Sequence, residues 1–140
     1  MLEAASIDSK WINTTYEDSA VHLVPYLPEH VPRYHAWMQD TYLLATTASE
    51  RLTLEQEYTM QETWRIDPEK HTFIILDKSL TCLQHLQSTT NRGKMAGDVN
   101  IFLLPNLGDN VGELEIMIAE QASRRKGLAT RALQVYPSLS

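Results

Sequence analysis

Cysteine is nearly missing from this 140-residue chain: Cys82 stands alone, so no internal disulfide can form and a reducing compartment is the simpler setting. Basic residues are also scarce, 12 Lys and Arg against 18 Asp and Glu. The formal net charge of −6 argues against nucleic acid or an anionic membrane as the main partner. Long apolar runs are lacking: none approaches the length of a membrane span, and Met1 to Ala20 show no apolar core of a secretory signal. These absences point to the cytoplasm, and without a secretory route the sequon Asn13-Thr14-Thr15 carries no weight. The histidines His22, His30, His35, His71 and His85 have no His-x-x-x-His spacing and no cysteine pair to join, so no metal is expected. Cys82 lies in a polar stretch with no base near it in sequence, a weak candidate for a nucleophile.

What is present is enough for one core: 43% of the residues are hydrophobic, and the length suits one domain. Residues 1–20 mix small and polar types and read as a flexible lead-in, with the domain running over 21–140. Val21 to Tyr26 reads as a short strand. Pro28 and Pro32 bracket a helix start, and Val31, Tyr34, Trp37 and Met38 follow at helical spacing with His35 beside them. Thr53 and Gln56 form a reciprocal capping box for a second helix, whose apolar side is expected to be Leu54, Tyr58, Met60 and Trp64, closed by Asp67-Pro68. Trp37, Tyr58 and Trp64 are read as core.

His71 to Asp77 is apolar on both faces, as suits a central strand between helical layers. Residues 78–94 read as a long loop with a helical turn through Leu80, Leu83 and Leu86. Met95 to Leu104 alternates: Gly97, Val99, Ile101 and Leu103 share one face, and Asp98, Asn100 and Phe102 take the other, read as a solvated polar face. After the loop at 105–110, Gly112 to Ala119 completes a hairpin, with Leu114, Ile116 and Ile118 on one side and Glu113, Glu115 and Met117 on the other. A last helix runs from Arg125 to about Gln134. Strand, two helices, three strands and a helix make an α+β architecture, since strands and helices do not alternate as a parallel sheet requires.

The segment Ser123-Arg124-Arg125-Lys126-Gly127-Leu128-Ala129-Thr130 carries the most chemistry. A strand entering an Arg-x-x-Gly-x-Ala turn ahead of a helix points successive backbone N–H groups and the helix dipole at one spot, and the basic side chains add charge. Gly127 allows close approach of a ligand, and a pyrophosphate suits such a cradle. The plain alternative is a solvated helix start decorated by Arg and Lys.

This order of elements and this signature resemble the GCN5-related N-acetyltransferase superfamily. Leu23-Val24-Pro25-Tyr26, His30-Val31-Pro32, Tyr34-His35-x-Trp37-Met38, Thr47-Ala48-Ser49-Glu50, Leu52 to Tyr58, Gly97-Asp98-Val99-Asn100 and Met117-Ile118-Ala119-Glu120 resemble a narrower group within it. That group is the N-acetyltransferase-nine-like proteins, and the likeness spans residues 21–134. It implies a mainly antiparallel sheet with helices on both faces, acetyl-CoA as co-substrate, and an amine of a protein or peptide as acceptor. It also implies a pyrophosphate cradle at Arg124, Arg125, Lys126, Gly127, Leu128, Ala129 and Thr130, with Met117 and Ile118 pairing to the pantetheine arm as one strand pairs to another.

An amine attacks only when neutral, which an α-amino group near pKa ~8 reaches more readily than a lysine near ~10.4. Glu113 and Glu115 are the candidates to take the proton through a water; the alternative is that both are ordinary residues of a polar face. The family pattern continues beyond the third helix with further strands and a helix, whereas this chain turns to Pro137-Ser138-Leu139-Ser140. The expectation is therefore a C-terminally shortened domain, either an enzyme by descent or a weak coenzyme A-binding or interaction module. Its strand at 112–119 would be an open edge available for self-association.

Overall fold

The structure, a computed structural model, describes residues 15–79, 93–108 and 111–135. The helical turn expected near Leu80–Leu86, Cys82 and Asn13 of the sequon lie outside the described residues. Five strands form one antiparallel sheet in chain order: β1 (Tyr16–Glu17), β2 (Val21–Pro25), β3 (Lys70–Asp77), β4 (Lys94–Leu103) and β5 (Gly112–Ile118). Between β2 and β3 come a 3-10 turn (Pro28–His30) and the helices α1 (Val31–Trp37), α2 (Thr41–Thr46) and α3 (Leu54–Ile66); α4 (Leu128–Val135) follows β5. The expected α+β architecture is therefore present. The lead-in is shorter than expected: Tyr16 and Glu17 pair with Leu23 and His22, and the Tyr16 ring meets Phe73 edge-on at 5.7 Å. α2 was not anticipated. Its cap is local: the Asp40 side chain accepts from the backbone N–H of Tyr42 at 2.8 Å and of Leu43 at 3.2 Å.

Alternation along the strands divides the core. One face of the sheet packs Leu23, Phe73, Ile75, Val99 and Ile101 against Leu128 and Ala132 of α4, with Leu114, Ile116 and Ile118 joining from β5. The other packs Val24, Ile74 and Met117 against Val31, Tyr34 and Trp37 of α1 and Leu43 of α2. The rings of Tyr26, Tyr34 and Trp64 meet one another at 5.1–6.4 Å, the Tyr34–Trp64 contact edge-on, and Trp37 meets Tyr34 at 5.8 Å.

α3 begins as expected, with Thr53 Oγ1 accepting from Gln56 N–H at 3.1 Å and Gln56 Oε1 accepting from Thr53 N–H at 2.9 Å. Its buried side differs from expectation. Leu54 and Tyr58 are 43% and 40% exposed, while Glu57 and Gln61 are buried. The reason is a polar demand beneath the helix. Gln61 Nε2 donates at 3.0 Å to the carbonyl of Tyr26, where β2 has just ended. Glu57 takes the adjacent inner position one turn earlier, facing His35 Nδ1 of α1 at 3.7 Å, and neither of its carboxylate oxygens has a hydrogen-bond donor.

β4 and β5 approach closely at Gly97, where an added Cβ would lie 1.8 Å from the Met117 carbonyl oxygen. A bulge sits beside it: Ile75 pairs with Gly97 but Leu76 with Met95, which leaves Ala96 without a partner on β3. Ala96 O instead accepts from the N–H groups of Ala119 and Glu120 at 2.7 and 3.1 Å, fastening the chain as it leaves β5. On its outer side β5 has no strand neighbour among the described residues.

Burial holds the Glu57 carboxyl above its ordinary range, and His35 opposes this only in part. The folded state therefore resists ionisation of Glu57, so stability falls as pH rises from the ordinary carboxyl range through the raised value. Glu57→Gln should then stabilise the fold at neutral pH by about 1 kcal/mol, the scale of one buried polar group without a partner. Urea unfolding should show that gain shrinking toward zero near pH ~4. A gain of equal size at both pH values would contradict the assignment.

Candidate functional site

β5 ends at Ile118, a 3-10 turn runs over Gln121–Ser123, and Arg124 is extended (φ −78°, ψ 156°). Arg125 and Gly127 both adopt left-handed backbone, φ 64° and 73°. α4 therefore begins at Leu128 rather than at Arg125 as expected, because a left-handed residue cannot belong to its first turn. Its first bond runs from Arg131 N–H to Gly127 O at 3.0 Å. Among the described residues the N–H groups of 125–130 have no backbone acceptor. A Cβ at Gly127 would meet nothing within 4 Å, so no protein atom crowds that side of the residue. Amides left unpaired at a helix start are able to bind an anion.

The basic side chains divide their roles. Arg124 donates through Nε to Ile118 O (3.0 Å) and through Nη2 to Ala119 O (3.1 Å), with its guanidinium 5.6 Å from the Tyr42 ring centre. It caps the end of β5. Lys126 Nζ donates to Asp77 Oδ2 at 3.1 Å and Ser79 Oγ at 2.8 Å. Arg125 is exposed and makes no side-chain contact among the described residues. Leu128 is buried under the sheet, Ala129 is half-buried and Thr130 is exposed.

The register aligns polar groups in rows on the face of the sheet opposite α4. Lys70 pairs with Phe102 and Phe102 with Glu113; Thr72 pairs with Asn100 and Asn100 with Glu115; Ile74 pairs with Asp98 and Asp98 with Met117. Glu113 and Glu115 are exposed, Met117 is buried and Ile118 is half-buried toward the α4 side. The expectation that Asp98 and Asn100 form a solvated face is overturned: they are 2% and 7% exposed. α1 lies across them, and Tyr34 Oη donates to Asp98 Oδ2 at 2.9 Å. Asn100 Nδ2 donates to the same oxygen at 3.1 Å, and Thr72 Oγ1 donates to Asn100 Oδ1 at 2.7 Å. Polar residues on an alternating strand are buried here because they form a closed set of donors and acceptors.

Burial pushes the Asp98 carboxyl up to about 6, although Tyr34, Asn100 and the Lys70 charge pull it down. Burial also lowers the Lys70 amine to about 8, opposed by Asp98, Glu115 and Asp67. Lys70 Nζ lies 3.2 Å from the Trp64 ring centre and 4.7 Å from that of Phe102, a cation–π seat. Two groups that titrate near neutrality thus share a face with the exposed Glu113 and Glu115, an arrangement suited to moving protons. The contributions of Lys70 and Tyr34 were not legible in sequence, because they depend on cross-strand register and on the seating of α1. No cluster of three or more metal-ligating side chains occurs among the described residues.

This fold is that of the GCN5-related N-acetyltransferases. Similar structures include a member of that superfamily from Brucella melitensis (TM-score 0.65, 16% identity, covering 88% of this chain and 52% of that one). Another is a ribosomal-protein alpha-N-acetyltransferase, RimL, in complex with coenzyme A (TM-score 0.65, 10% identity, covering 87% and 64%). In sequence the chain is similar to N-acetyltransferase 9-like proteins of Nematostella vectensis (50% identity; 83% of this chain, 57% of the relative) and Schizosaccharomyces pombe (36%; 89% and 71%). It also resembles the human alpha/beta-tubulin-N-acetyltransferase 9 (49%; 86% and 58%). The chain belongs to the N-acetyltransferase 9-like family. It spans 57–58% of the length of the sea anemone and human relatives and 71% of the fission yeast one, and no family model matches it.

The Asp98 side chain should titrate with a midpoint near 6 in carbon-detected NMR. Tyr34→Phe removes a donor that favours the charged form, so the midpoint should move higher. A wild-type midpoint below ~4, the ordinary value for an aspartate, would show that Asp98 is better solvated than its burial implies.

Proposed function

We propose that this chain forms the acyl-CoA-binding part of an N-acetyltransferase that transfers acetyl from acetyl-CoA to an amine of a protein. The observation that carries this reading is the row of N–H groups at 125–130, without backbone acceptors among the described residues and with no protein atom crowding Gly127. An anionic pyrophosphate would satisfy those donors and lie at the positive end of α4. The extended pantetheine arm would run along the free edge of β5 at Met117 and Ile118. Structural relatives support the ligand: RimL is seen with coenzyme A, and the similar MccE acetyltransferase with acetyl-CoA and AMP. The human relative is named for tubulin, which favours a protein amine as acceptor.

Acetyl-CoA supplies an activated acyl carbon: the C–N bond forms, the C–S bond breaks, and the thiolate leaves. The protein's part is to take the proton from the acceptor's ammonium so that the neutral amine can attack. Glu113 and Glu115 are exposed on the β5 face and accept it through water. Asp98 is too deep to touch an acceptor, while the Lys70 ammonium attracts Glu115. A second reading rests on the exposure of Glu113 and Glu115, which are not enclosed by any described residues. On that reading the chain binds coenzyme A without turning over, because effective transfer depends on a fully enclosed, oriented acceptor. The free β5 edge would then also serve self-association, which light scattering over a range of concentrations detects.

Calorimetric titration with coenzyme A tests the shared claim. Gly127→Val should abolish binding, because valine is strained at φ 73° and its branches occupy the approach to the amides. Arg125→Ala should weaken binding only about threefold, since it removes one exposed charge and no backbone donor. Equal affinity in wild type and Gly127→Val would refute the cradle. Peptide acetylation that drops in Glu113→Gln or Glu115→Gln would favour the enzyme over the binding module.

A further inference from the structure

Asp77 ends β3 on the face covered by α4, and it is 1% exposed. Its Oδ1 accepts from the backbone N–H of Ser79 at 2.9 Å and from Ser79 Oγ at 2.7 Å. Its Oδ2 accepts from Ser123 Oγ at 2.7 Å and Lys126 Nζ at 3.1 Å. Ser123 is itself 1% exposed. One buried carboxylate thus grips the turn between β5 and α4 at two points three residues apart. Between them lie extended Arg124 and left-handed Arg125. A residue with a Cβ keeps a left-handed backbone only where its surroundings over-determine it, and anchors on both sides do so.

We propose that Asp77 is the positioning residue of the anion cradle: through Ser123 and Lys126 it holds Arg124 and Arg125 in the bend that turns the N–H groups of 125–130 toward one ligand. This rests on the acyl-CoA reading above. It reassigns Lys126, whose ammonium serves the clamp rather than the ligand and is shared between Asp77 and Ser79. Donors from Ser123, Ser79 and Lys126 also hold the Asp77 carboxyl below its usual range despite burial, which keeps the clamp charged at neutral pH. Preorganisation of this kind raises affinity without a contact of its own, because the ligand then does not order the loop as it binds.

The test uses the 140-residue chain with coenzyme A and, separately, inorganic pyrophosphate, each by calorimetry alongside a melting curve. Asp77→Ala should weaken both ligands about tenfold, the scale seen when an orienting group behind a ligand-binding one is removed. Ser123→Ala and Lys126→Met should each weaken binding less, and Lys126→Met should add nothing in the Asp77→Ala background. The salt dependence of coenzyme A affinity should be the same in Lys126→Met and wild type. Arg131→Ala is the comparison: it removes an α4 anchor to Asp18 (2.7 Å) and Ser19 (3.0 Å), and should lower the melting temperature while leaving affinity in place. Should Asp77→Ala fail to fold, the double variant Ser123→Ala with Lys126→Met carries the same expectation.

Three results overturn the proposal. One is unchanged affinity in a folded Asp77→Ala or in the double variant. The second is a weaker salt dependence in Lys126→Met, which would place that ammonium on the ligand. The third is equal loss of affinity in Arg131→Ala, which would mark general loosening. If wild type binds neither ligand, the acyl-CoA reading falls and takes this assignment with it; loss confined to the variants separates the two.

Discussion

The pairing of β4 with β3 on one side and β5 on the other governs where every functional group lies. Side chains alternate across a sheet, so a slip of one residue would exchange Asp98 and Asn100 for Val99 and Ile101 on the face beneath α1. The bulge at Ala96 and the close approach at Gly97 prevent such a slip. A side chain at 97 would collide with the Met117 carbonyl, and Ala96 O fastens Ala119 and Glu120. The same fastening fixes where the chain leaves β5, and therefore where the turn into α4 begins. Arg124 adds to it by bonding the carbonyls of Ile118 and Ala119. The turn at 123–127 and the row of Asp98, Asn100, Glu113 and Glu115 are both positioned by one strand register.

Three buried carboxyls show how donors and desolvation compete. Asp77 receives four donor contacts, one of them from an ammonium, and its carboxyl is held low. Asp98 receives two, from a phenol and an amide, and is pushed up to about 6. Glu57 receives no hydrogen bond and has only His35 at 3.7 Å, and it too is raised. Surface exposure does not separate them, since all three are 1–2% exposed. Asp98 lies deepest and Asp77 shallowest, and between these two the number and charge of the groups that solvate the anion in place of water change in the same direction.

Elements governed by local periodicity or capping were legible in sequence. The capping box at Thr53 and Gln56, the hairpin of β4 and β5, and the central place of β3 follow from patterns a few residues long. The turn signature 124–129 was legible for the same reason. What failed depends on distant partners. Gln61 is buried because the Tyr26 carbonyl, 35 positions earlier, needs a donor. Asp98 is buried because Tyr34, 64 positions earlier, reaches it. The partner of Lys126 was not legible either, because Asp77 lies 49 positions earlier. In each case a remote group satisfies a polar residue, a link that periodicity cannot carry.

The basic run 124–126 stands in a chain of net charge −6, where the long-range field repels an anion. Two of its three charges are engaged within the protein, Arg124 on strand carbonyls and Lys126 on a carboxylate. Attraction for a phosphate group therefore has to come at short range, from amide dipoles held in fixed directions. Such dipoles are effective only within hydrogen-bond distance and only when they converge, so geometry decides affinity more than charge does. An acidic chain gains selectivity from this. On the acyl-CoA reading proposed above, an anion that fits the turn would be held by several N–H groups at once, while one that does not would gain little from the exposed Arg125.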